Sequence, residues 1–465
     1  MRRIFLSISL LFSLLAAAQS EPLSLAEAIV LARSYNTSLA IANEESRIVA
    51  AQSKELNALW YPSVTIAGEY THSLSEIAAV TSIGALAGGA IENLEPLLAS
   101  NPTLLGIVEE VAATPIRLPL VPRNTASVGV EVGWALFSGG RRIQASKISK
   151  ALSGLSSARL SIAESAVDFA VVREYFAARL AEEVVLLRES ELSSLSDHLR
   201  HARSLEREGM IVPAERLTAE VAVEQARVSL VAARGDSLVA HRALLATLNA
   251  NYPALVLTTP LFMPPSLPTK EQLYALVECS PTLGALRQQT AIATHSLNAE
   301  RGRYLPTIAL LGHQQLWSTG LDKNLFPRTA LGVGLSWTLF DGLAREGAVA
   351  RSRAQVATAE IAEERVADEM RLTIDRLYSA LMAGRAEYEV ACTTERLAEE
   401  LARSRRRAFG EGMATSSEVV DAEVLLTGAR VAQMVALCEI DVALCSLLMV
   451  VGTTDEFLDY MRYEE

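Results

Sequence analysis

The chain has 465 residues, of which 50% are hydrophobic and 5% aromatic, and its formal net charge is -12 at pH 7. A composition so poor in aromatic residues suits long packed helices better than a bulky globular core. The acidic balance argues against a nucleic-acid partner, because the chain has no basic excess with which to neutralise phosphates.

Residues 1–20 have the pattern of a cleavable secretory signal peptide. Arg2 and Arg3 precede an apolar run from Ile4 to Leu15, and a short stretch of alanines follows. The first cysteine is Cys279, so the mature N-terminus has no cysteine for a lipid anchor. We therefore predict that the mature chain begins near residue 21.

The mature sequence contains two similar halves, at residues 21–252 and 269–465, joined by a proline-rich linker at 253–268. Each half opens with a capping box, at Ser24–Glu27 and at Thr269–Gln272, and the first predicted helix continues to about Leu59. Trp60–Pro62 matches Tyr304–Pro306 at an offset of 244 residues, and each proline ends a helix. Each half is predicted to form a helix, a strand, a loop, a strand and a long helix.

The second strand of each half shows an alternation of apolar with small or polar residues, from 128 to 136 and from 331 to 339. Trp134 matches Trp337 at an offset of 203 residues, which is smaller than the offset found at Pro62. The first half therefore has about 41 extra residues, which we predict to form an exposed inserted loop at about 75–124.

Long helices are predicted from Arg141 and from Arg345, and each would extend on the order of 100 Å. They end at tight turns, the tips at residues 209–213 and 410–416, after which helices return to about Leu248 and Val451. The apolar run that ends at Val451 contains two acidic residues, so it is interpreted as a packed helix rather than a membrane span.

The strands have the length of tilted membrane-spanning strands, about ten residues. An open sheet in lipid would leave unpaired backbone groups at its edges, so several chains must close one barrel. Since eight strands fill a barrel with side chains, three chains with about 12 strands give the smallest convenient conduit.

The chain resembles the TolC family of outer membrane efflux proteins. The resemblance rests on the duplicated halves, on a strand that twice ends in Trp-x-Leu-Phe-(Ser/Asp)-Gly, and on the tips, the second of which is followed by Glu418-Val419-Val420-Asp421-Ala422. It implies a mixed α and β membrane protein: a homotrimer with a 12-stranded outer membrane β-barrel, four strands per chain, continued by a long periplasmic α-helical barrel.

By this resemblance the protein is an exit duct of an efflux pump or a type I secretion system. Its partners would be two further copies of itself, a periplasmic adaptor, an inner membrane transporter and outer membrane lipid. A periplasmic coiled-coil scaffold or adaptor without a pore is the alternative function. A secreted enzyme is disfavoured, because the sequence offers no catalytic cluster, and no cofactor or metal is expected. His198 and His201 lie beside Asp197, but a solvated polar helix face explains them as well as a metal site does.

Three further sets of residues are predicted from the pattern. The adaptor should contact the tips at Gly209, Met210, Ile211, Val212, Gly412, Met413, Ala414 and Thr415, because apolar side chains at an exposed turn need a cover. Trp134 and Trp337 are predicted to lie at a membrane interface, with core packing as the alternative. Cys392 and Cys438 lie at similar distances from the second tip and are candidates for a disulfide, with free buried thiols as the alternative.

Glu418 and Asp421, together with Glu215, are predicted to form an acidic constriction at the periplasmic mouth. Glu418 and Asp421 share a helix face, and three-fold symmetry would repeat that face as a ring. For Glu215 and Glu418 the alternative role is capping of a helix amide end. The best-known family pattern has an arginine and a tyrosine near this turn, where this chain has Ala414 and Phe409. We therefore expect a weaker polar lock and a mouth that selects cations.

Overall fold

The structure is a computed structural model that describes residues 21–74, 77–87, 102–121, 123–249, 255–319 and 327–464. The predicted signal peptide, residues 1–20, lies outside the described residues. The chain divides into two compact units. Among the described residues, the helical unit contains those of 21–53, 148–294 and 354–464, and the sheet unit contains those of 54–147 and 295–353.

The described elements follow one another in this order: β1 (Glu21–Leu23), α1 (Leu25–Tyr35), α2 (Thr37–Ala58), β2 (Ser63–His72), β3 (Ile77–Ser82), α3 (Ile83–Leu86), α4 (Pro102–Ala113), β4 (Pro115–Val121), β5 (Asn124–Ser138), α5 (Arg141–Arg207), α6 (Pro213–Leu248), β6 (Leu255–Leu257), α7 (Lys270–Val277), α8 (Pro281–Arg301), β7 (Thr307–Thr319), β8 (Thr329–Ser336), α9 (Ala344–Gly410) and α10 (Ser416–Val451). A 3₁₀ turn at Gly302–Tyr304 precedes β7, and a 3₁₀ segment, Thr454–Glu464, follows α10.

The four long helices form two helical hairpins of matching dimensions. Helices α5 and α9 each have 67 residues, and the returning helices α6 and α10 each have 36. Their bounds agree with the helices predicted from the periodicity. We call α5–α6 the first hairpin and α9–α10 the second hairpin.

The predicted helix at the start of each half is divided in two. Asn36 has extended backbone angles, its side-chain amide donates to the carbonyl of Thr247 at 2.8 Å, and its Oδ1 accepts from the Ser38 amide at 2.8 Å. In the second half Pro281 cannot donate a helical hydrogen bond, so a new helix starts there. The single helix expected up to Leu59 was therefore wrong, because a local polar side chain competes with the helix.

The core of the helical unit is built around aromatic rings from distant parts of the chain. Phe176 of α5 packs against Phe262 and Phe457, with each pair of ring centroids 6.2 Å apart. Buried Tyr175 donates from its hydroxyl to the carbonyl of Leu23 at 2.8 Å, beside the parallel pair of strands β1 and β6. Strand β6 lies inside the predicted linker, which is therefore not simply a connector.

Helix α10 is the one helix in the described part of the chain that is long and apolar enough to cross a membrane. Within its most apolar window, 61% of the residues are buried inside the protein. Leu444, Leu447 and Leu448 belong to the core of the helical unit. The helix is therefore a core helix, in agreement with the sequence-based interpretation.

The sheet unit contains a four-stranded antiparallel sheet in the order β2-β5-β7-β8. Its register separates two faces, because residues paired across strands point to the same side. One face is mostly apolar and carries Val64, Ile66, Gly68, Tyr70, Val128, Val130, Val132, Trp134, Ile308, Leu310, Gly312, Trp317, Leu331, Val333 and Leu335. The other face carries mainly small and polar residues, among them Thr65, Glu69, Gly129, Glu131, Gly133, His313, Ala330, Gly332 and Gly334.

Two expectations for the strands need correction. Strand β8 ends at Ser336, so Trp337 and Leu339 lie beyond the strand that was predicted to include them. The insertion at about 75–124 is not only a loop, because β3 pairs antiparallel with β4 and α4 lies between them. Its apolar residues lack a clear period over most of their length, so the hairpin gave no readable signal in the sequence.

Candidate functional site

The two hairpin tips have the same backbone geometry. Gly209 and Gly412 have φ values of +74° and +73°, a region that side chains with a Cβ rarely adopt. In each tip the next amide, of Met210 or Met413, donates back across the turn to the carbonyl of Leu205 or Ala408. These are the contacts of a glycine-terminated helix end, as the sequence predicted.

The tips differ in how the returning helix is capped. Thr415 forms a full capping box with Glu418: the Glu418 carboxylate accepts from the Thr415 amide at 2.9 Å, and the Glu418 amide donates to Thr415 Oγ1 at 3.3 Å. The corresponding residue of the first hairpin is Val212, which has no side-chain acceptor. The Glu215 carboxylate is therefore released from capping its own helix, and accepts instead from the Ser416 amide of the second hairpin at 2.6 Å.

A buried polar contact joins the two hairpins one helical layer above the tips. Nε2 of His198, on α5, lies 2.6 Å from Oγ of Ser416, the first residue of α10. Both residues are buried, and the imidazole packs edge-on against the ring of Phe409 with the centroids 4.6 Å apart. Ser416 is therefore held twice by the first hairpin, at its hydroxyl by His198 and at its amide by Glu215.

His198 is neutral at ordinary pH because of its surroundings. Burial is the main cause that lowers the pKa of His198 from 6.5 to about 4, and the nearby His201 lowers it further. The negative charge of Glu215 acts in the opposite direction but does not compensate. The solvated helix face assigned to His198 from the sequence was wrong. A usable signal was present, since Leu195, Leu199 and Ala202 form a buried stripe on which His198 falls.

The structure assigns partners to two of the three predicted mouth acids. Besides its capping box, Glu418 pairs with Arg405 of α9 at 3.3 Å. Glu215 binds the Ser416 amide, whereas Asp421 is exposed on α10. The capping alternative therefore describes Glu418, and Glu215 caps the neighbouring hairpin rather than its own helix.

A buried carboxylate that the sequence analysis did not single out lies deeper in the second hairpin. Glu423 is almost fully buried and pairs with Nε of Arg406 at 2.9 Å. Burial raises the pKa of Glu423, while the positive charges of Arg406 and Arg430 act against that rise. Its position two residues beyond Asp421 places it on the packed face of α10 rather than on the exposed face.

The apolar side chains of the tips are only partly exposed. Met210, Val212 and Met413 are exposed, with 58%, 61% and 71% of their surface accessible. Ile211 and Ala414 pack instead against the cluster of buried residues that contains Leu195 and Phe409. The predicted exposed apolar turn is therefore corrected to three side chains, because the tight turn directs the other two inward.

A matching pair of contacts lies where the strands meet the helices in the sheet unit. The indole N–H of Trp134 donates to the Trp60 carbonyl, and that of Trp337 to the Tyr304 carbonyl, each at 3.0 Å. Arg142 stacks over the Trp60 ring at 4.6 Å, as Arg345 does over the Tyr304 ring at 5.0 Å. Both arginines also donate to carbonyls near the strand end, of Leu136 for Arg142 and of Thr338 and Leu339 for Arg345.

The two alternatives for the tryptophans were a membrane interface and core packing, and these contacts bear on both. Each indole N–H is bound within the chain, yet both rings remain exposed. An exposed ring with its polar atom satisfied can lie against apolar lipid as well as against water. Both rings are exposed in the single chain, and their place at a membrane interface stays a prediction.

The predicted Cys392–Cys438 bridge is absent from the structure, in which all four cysteines are free. Cys392 Sγ lies 3.1 Å from Nε2 of Gln433, and Cys438 is buried. Burial raises the pKa of Cys438 to about 12, so its thiol is protonated and unreactive. Within the described residues, no group of three or more His, Cys, Asp or Glu side chains is arranged to hold a metal ion.

The architecture is similar to that of known proteins whose structures have been solved. The chain superposes on CusC with a TM-score of 0.75 at 14% identity, over 94% of this chain and 95% of CusC. It also superposes on the Campylobacter jejuni CmeC outer membrane channel with a TM-score of 0.72 at 15% identity, over 92% and 86% of the two chains. The fold is therefore that of outer membrane channels.

Sequence comparisons also find outer membrane efflux proteins among the proteins similar to this chain. The family model described as outer membrane efflux protein matches residues 273–453. Outer membrane efflux protein BepC of Brucella suis biovar 1 is 25% identical over 342 residues, which cover 71% of this chain and 73% of BepC. Protein CyaE of Bordetella pertussis is 26% identical over 281 residues, 57% of each chain. The chain is therefore similar to outer membrane efflux proteins, in sequence over residues 273–453 and in fold over most of its length.

Proposed function

We propose that the protein is the outer membrane exit duct of a tripartite efflux pump or a type I secretion system. In this role it receives substrate from an inner membrane transporter through a periplasmic adaptor and releases it outside the cell. The family match and the relative BepC, an outer membrane efflux protein, support this function.

The observation that carries the proposal is the two-faced sheet. Its apolar face continues across all four strands, whereas its opposite face is mainly small and polar, with Leu311 as an apolar exception. Alternation of this kind is typical of a membrane barrel wall, with lipid outside and water inside. The strands β2 and β8 form the two ends of the sheet as described, and an open edge in lipid would leave several unpaired backbone groups.

A closed barrel follows if several copies join β8 of one chain to β2 of the next. Three copies with four strands each give 12 strands, which is wide enough for a water-filled lumen. The two hairpins, each with a helix of 67 residues, would continue that lumen into the periplasm as a helical barrel. Trp134, Trp337 and the stacked arginines near the strand ends would then lie at the lipid interface.

In this assembly the tips and the mouth acids would have separate roles. Exposed Met210, Val212 and Met413 would meet the adaptor, because apolar side chains at an exposed turn favour a partner. Asp421, exposed on α10, would contribute to an acidic ring at the mouth, repeated by the three-fold axis. Glu418 and Glu215 would add negative charge while they hold the helix starts in place.

Planar-bilayer recording tests the proposal. Purified protein added to one side of the bilayer should insert as discrete, equal current steps with a preference for cations. A protein that remains soluble and never conducts would instead support the alternative of a periplasmic scaffold or adaptor without a pore.

A further inference from the structure

The contact between the two hairpins has features that packing alone does not require. A histidine is placed where burial disfavours its charge, against a serine that is itself fully buried. The positions around it, Leu195, Leu199 and Val419, are apolar and belong to one cluster. A purely structural contact here would be served as well by an apolar side chain, without the cost of burying polar groups.

We propose that His198, Ser416 and Glu215 form an acid-sensitive latch that docks the second hairpin onto the first and holds the periplasmic mouth closed. The closing of the mouth rests on the proposed duct function. The docking of the two hairpins does not depend on it. It assigns a new role to His198 and Ser416.

The latch is built so that one proton changes several contacts together. Neutral His198 and the Ser416 hydroxyl lie 2.6 Å apart, and either can donate. A protonated imidazole is a donor at both nitrogens and carries a charge that the apolar cluster cannot solvate. Moving the hairpins apart exposes the charge to water, and the same movement breaks the bond from the Ser416 amide to Glu215.

The charges around His198 come from a small number of groups. On its own helix, His201 opposes protonation, and from α6 the carboxylate of Glu215 favours it. Helix α9 places the uncharged ring of Phe409 against the imidazole, and α10 contributes the Ser416 hydroxyl. Other charged side chains at this end of α9 and α10 include Arg405, which pairs with Glu418, and Arg406, which pairs with Glu423.

The direction of the pH effect follows from these surroundings. The pKa of His198 is about 4 when the hairpins are docked and 6.5 when the ring is free in water, so the docked state binds fewer protons. Docking is therefore strongest above pH 6.5 and weakens as the pH falls through 6.5 toward 4. Between pH 8 and pH 5.5 the ratio of docked to undocked hairpins should fall roughly tenfold. Ordinary carboxylates, with pKa values near 4, remain mostly ionised over this range.

Hydrogen–deuterium exchange of the intact protein tests the latch. Amide protection in the peptide from Ser416 to Val420 is measured at pH 8 and pH 5.5 and corrected for the intrinsic pH dependence of exchange. We expect protection to fall about tenfold in the parent and in His201→Gln, the matched control on the exposed face of the same helix turn. His198→Gln keeps a hydrogen-bonding side chain that does not titrate in this range, so amide protection of the same peptide should not change with pH in this variant.

A second variant keeps the test valid if His198→Gln does not assemble. Ser416→Ala leaves the histidine but removes its partner, so protection of the same peptide should already be reduced at pH 8. Equal protection at the two pH values in the parent would overturn the proposal, and so would a full tenfold response in His198→Gln.

Bilayer current then separates the latch from the duct. The parent should conduct more at pH 5.5 than at pH 8, and His198→Gln should lose this difference while His201→Gln keeps it. Exchange that responds to pH without any change in current would overturn the link to the mouth. Absence of current from every variant would contradict the proposed duct, and the exchange data would still decide whether the latch exists.

Discussion

The assignment of the two sheet faces gives a sharp prediction at neighbouring positions of β8. Val333 lies in the middle of the strand, on the apolar face, and is 66% exposed in the single chain. Gly332 precedes it on the opposite face, and a Cβ built there meets no atom within 4 Å. An arginine at either position thus has room, and the two variants differ only in the face that receives the charge.

The expected magnitudes differ clearly. An arginine on the lipid face near the bilayer midplane costs about 2–4 kcal/mol per strand. Val333→Arg should therefore lower the ratio of assembled to unassembled chain by a factor of roughly 30 to 1,000. Gly332→Arg would place its charge in the water-filled lumen, so its cost should stay below about 1 kcal/mol and its ion preference should shift toward anions.

The assay is the amount of heat-modifiable oligomer in the outer membrane fraction, followed by the urea midpoint of each purified variant. Val333→Arg should give little oligomer, whereas Gly332→Arg should assemble near the parent level. Equal yields for the two variants, or a greater loss for Gly332→Arg, would refute the assignment of faces.

Three further predictions concern the tips and the mouth. Charge at both Met210 and Met413 should abolish export while oligomers persist in the membrane, and normal export by that double variant would exclude the tips as the adaptor contact. Asp421→Ala should weaken both the cation preference of the channel and its block by multivalent cations in a bilayer; a variant that conducts like the parent would contradict the acidic ring. Glu418→Ala should cost about 1 kcal/mol through its lost cap, seen as a lower urea midpoint, and an unchanged midpoint would mean that the capping box stabilises nothing.

Much of the fold could be predicted from the sequence because its signals are local. Capping residues and glycines fixed the ends of the long helices, so the predicted return helices end at Leu248 and Val451 as observed. Alternation gave the strands, and the repeated Trp motif aligned the halves. Where the pattern was interrupted by a side chain with a local hydrogen bond, as at Asn36, the prediction failed.

The candidate site was harder to predict because its contacts join residues far apart in the chain. Nothing near Ser416 indicates that its hydroxyl meets His198, which lies 218 positions away. The role of Glu215 depends on a neighbour, since Val212 cannot cap and leaves the carboxylate free to bind the other hairpin. Burial of one helix face could be predicted from periodicity, but the partner of each buried polar group could not.

The central claim is that three copies of this chain close one barrel in the outer membrane. Native mass spectrometry of protein extracted from that membrane in mild detergent measures the copy number directly. We predict a single species of three chains that survives mild detergent and separates into single chains on heating. A single-chain or two-chain species, or protein found only in the soluble periplasmic fraction, would contradict the claim.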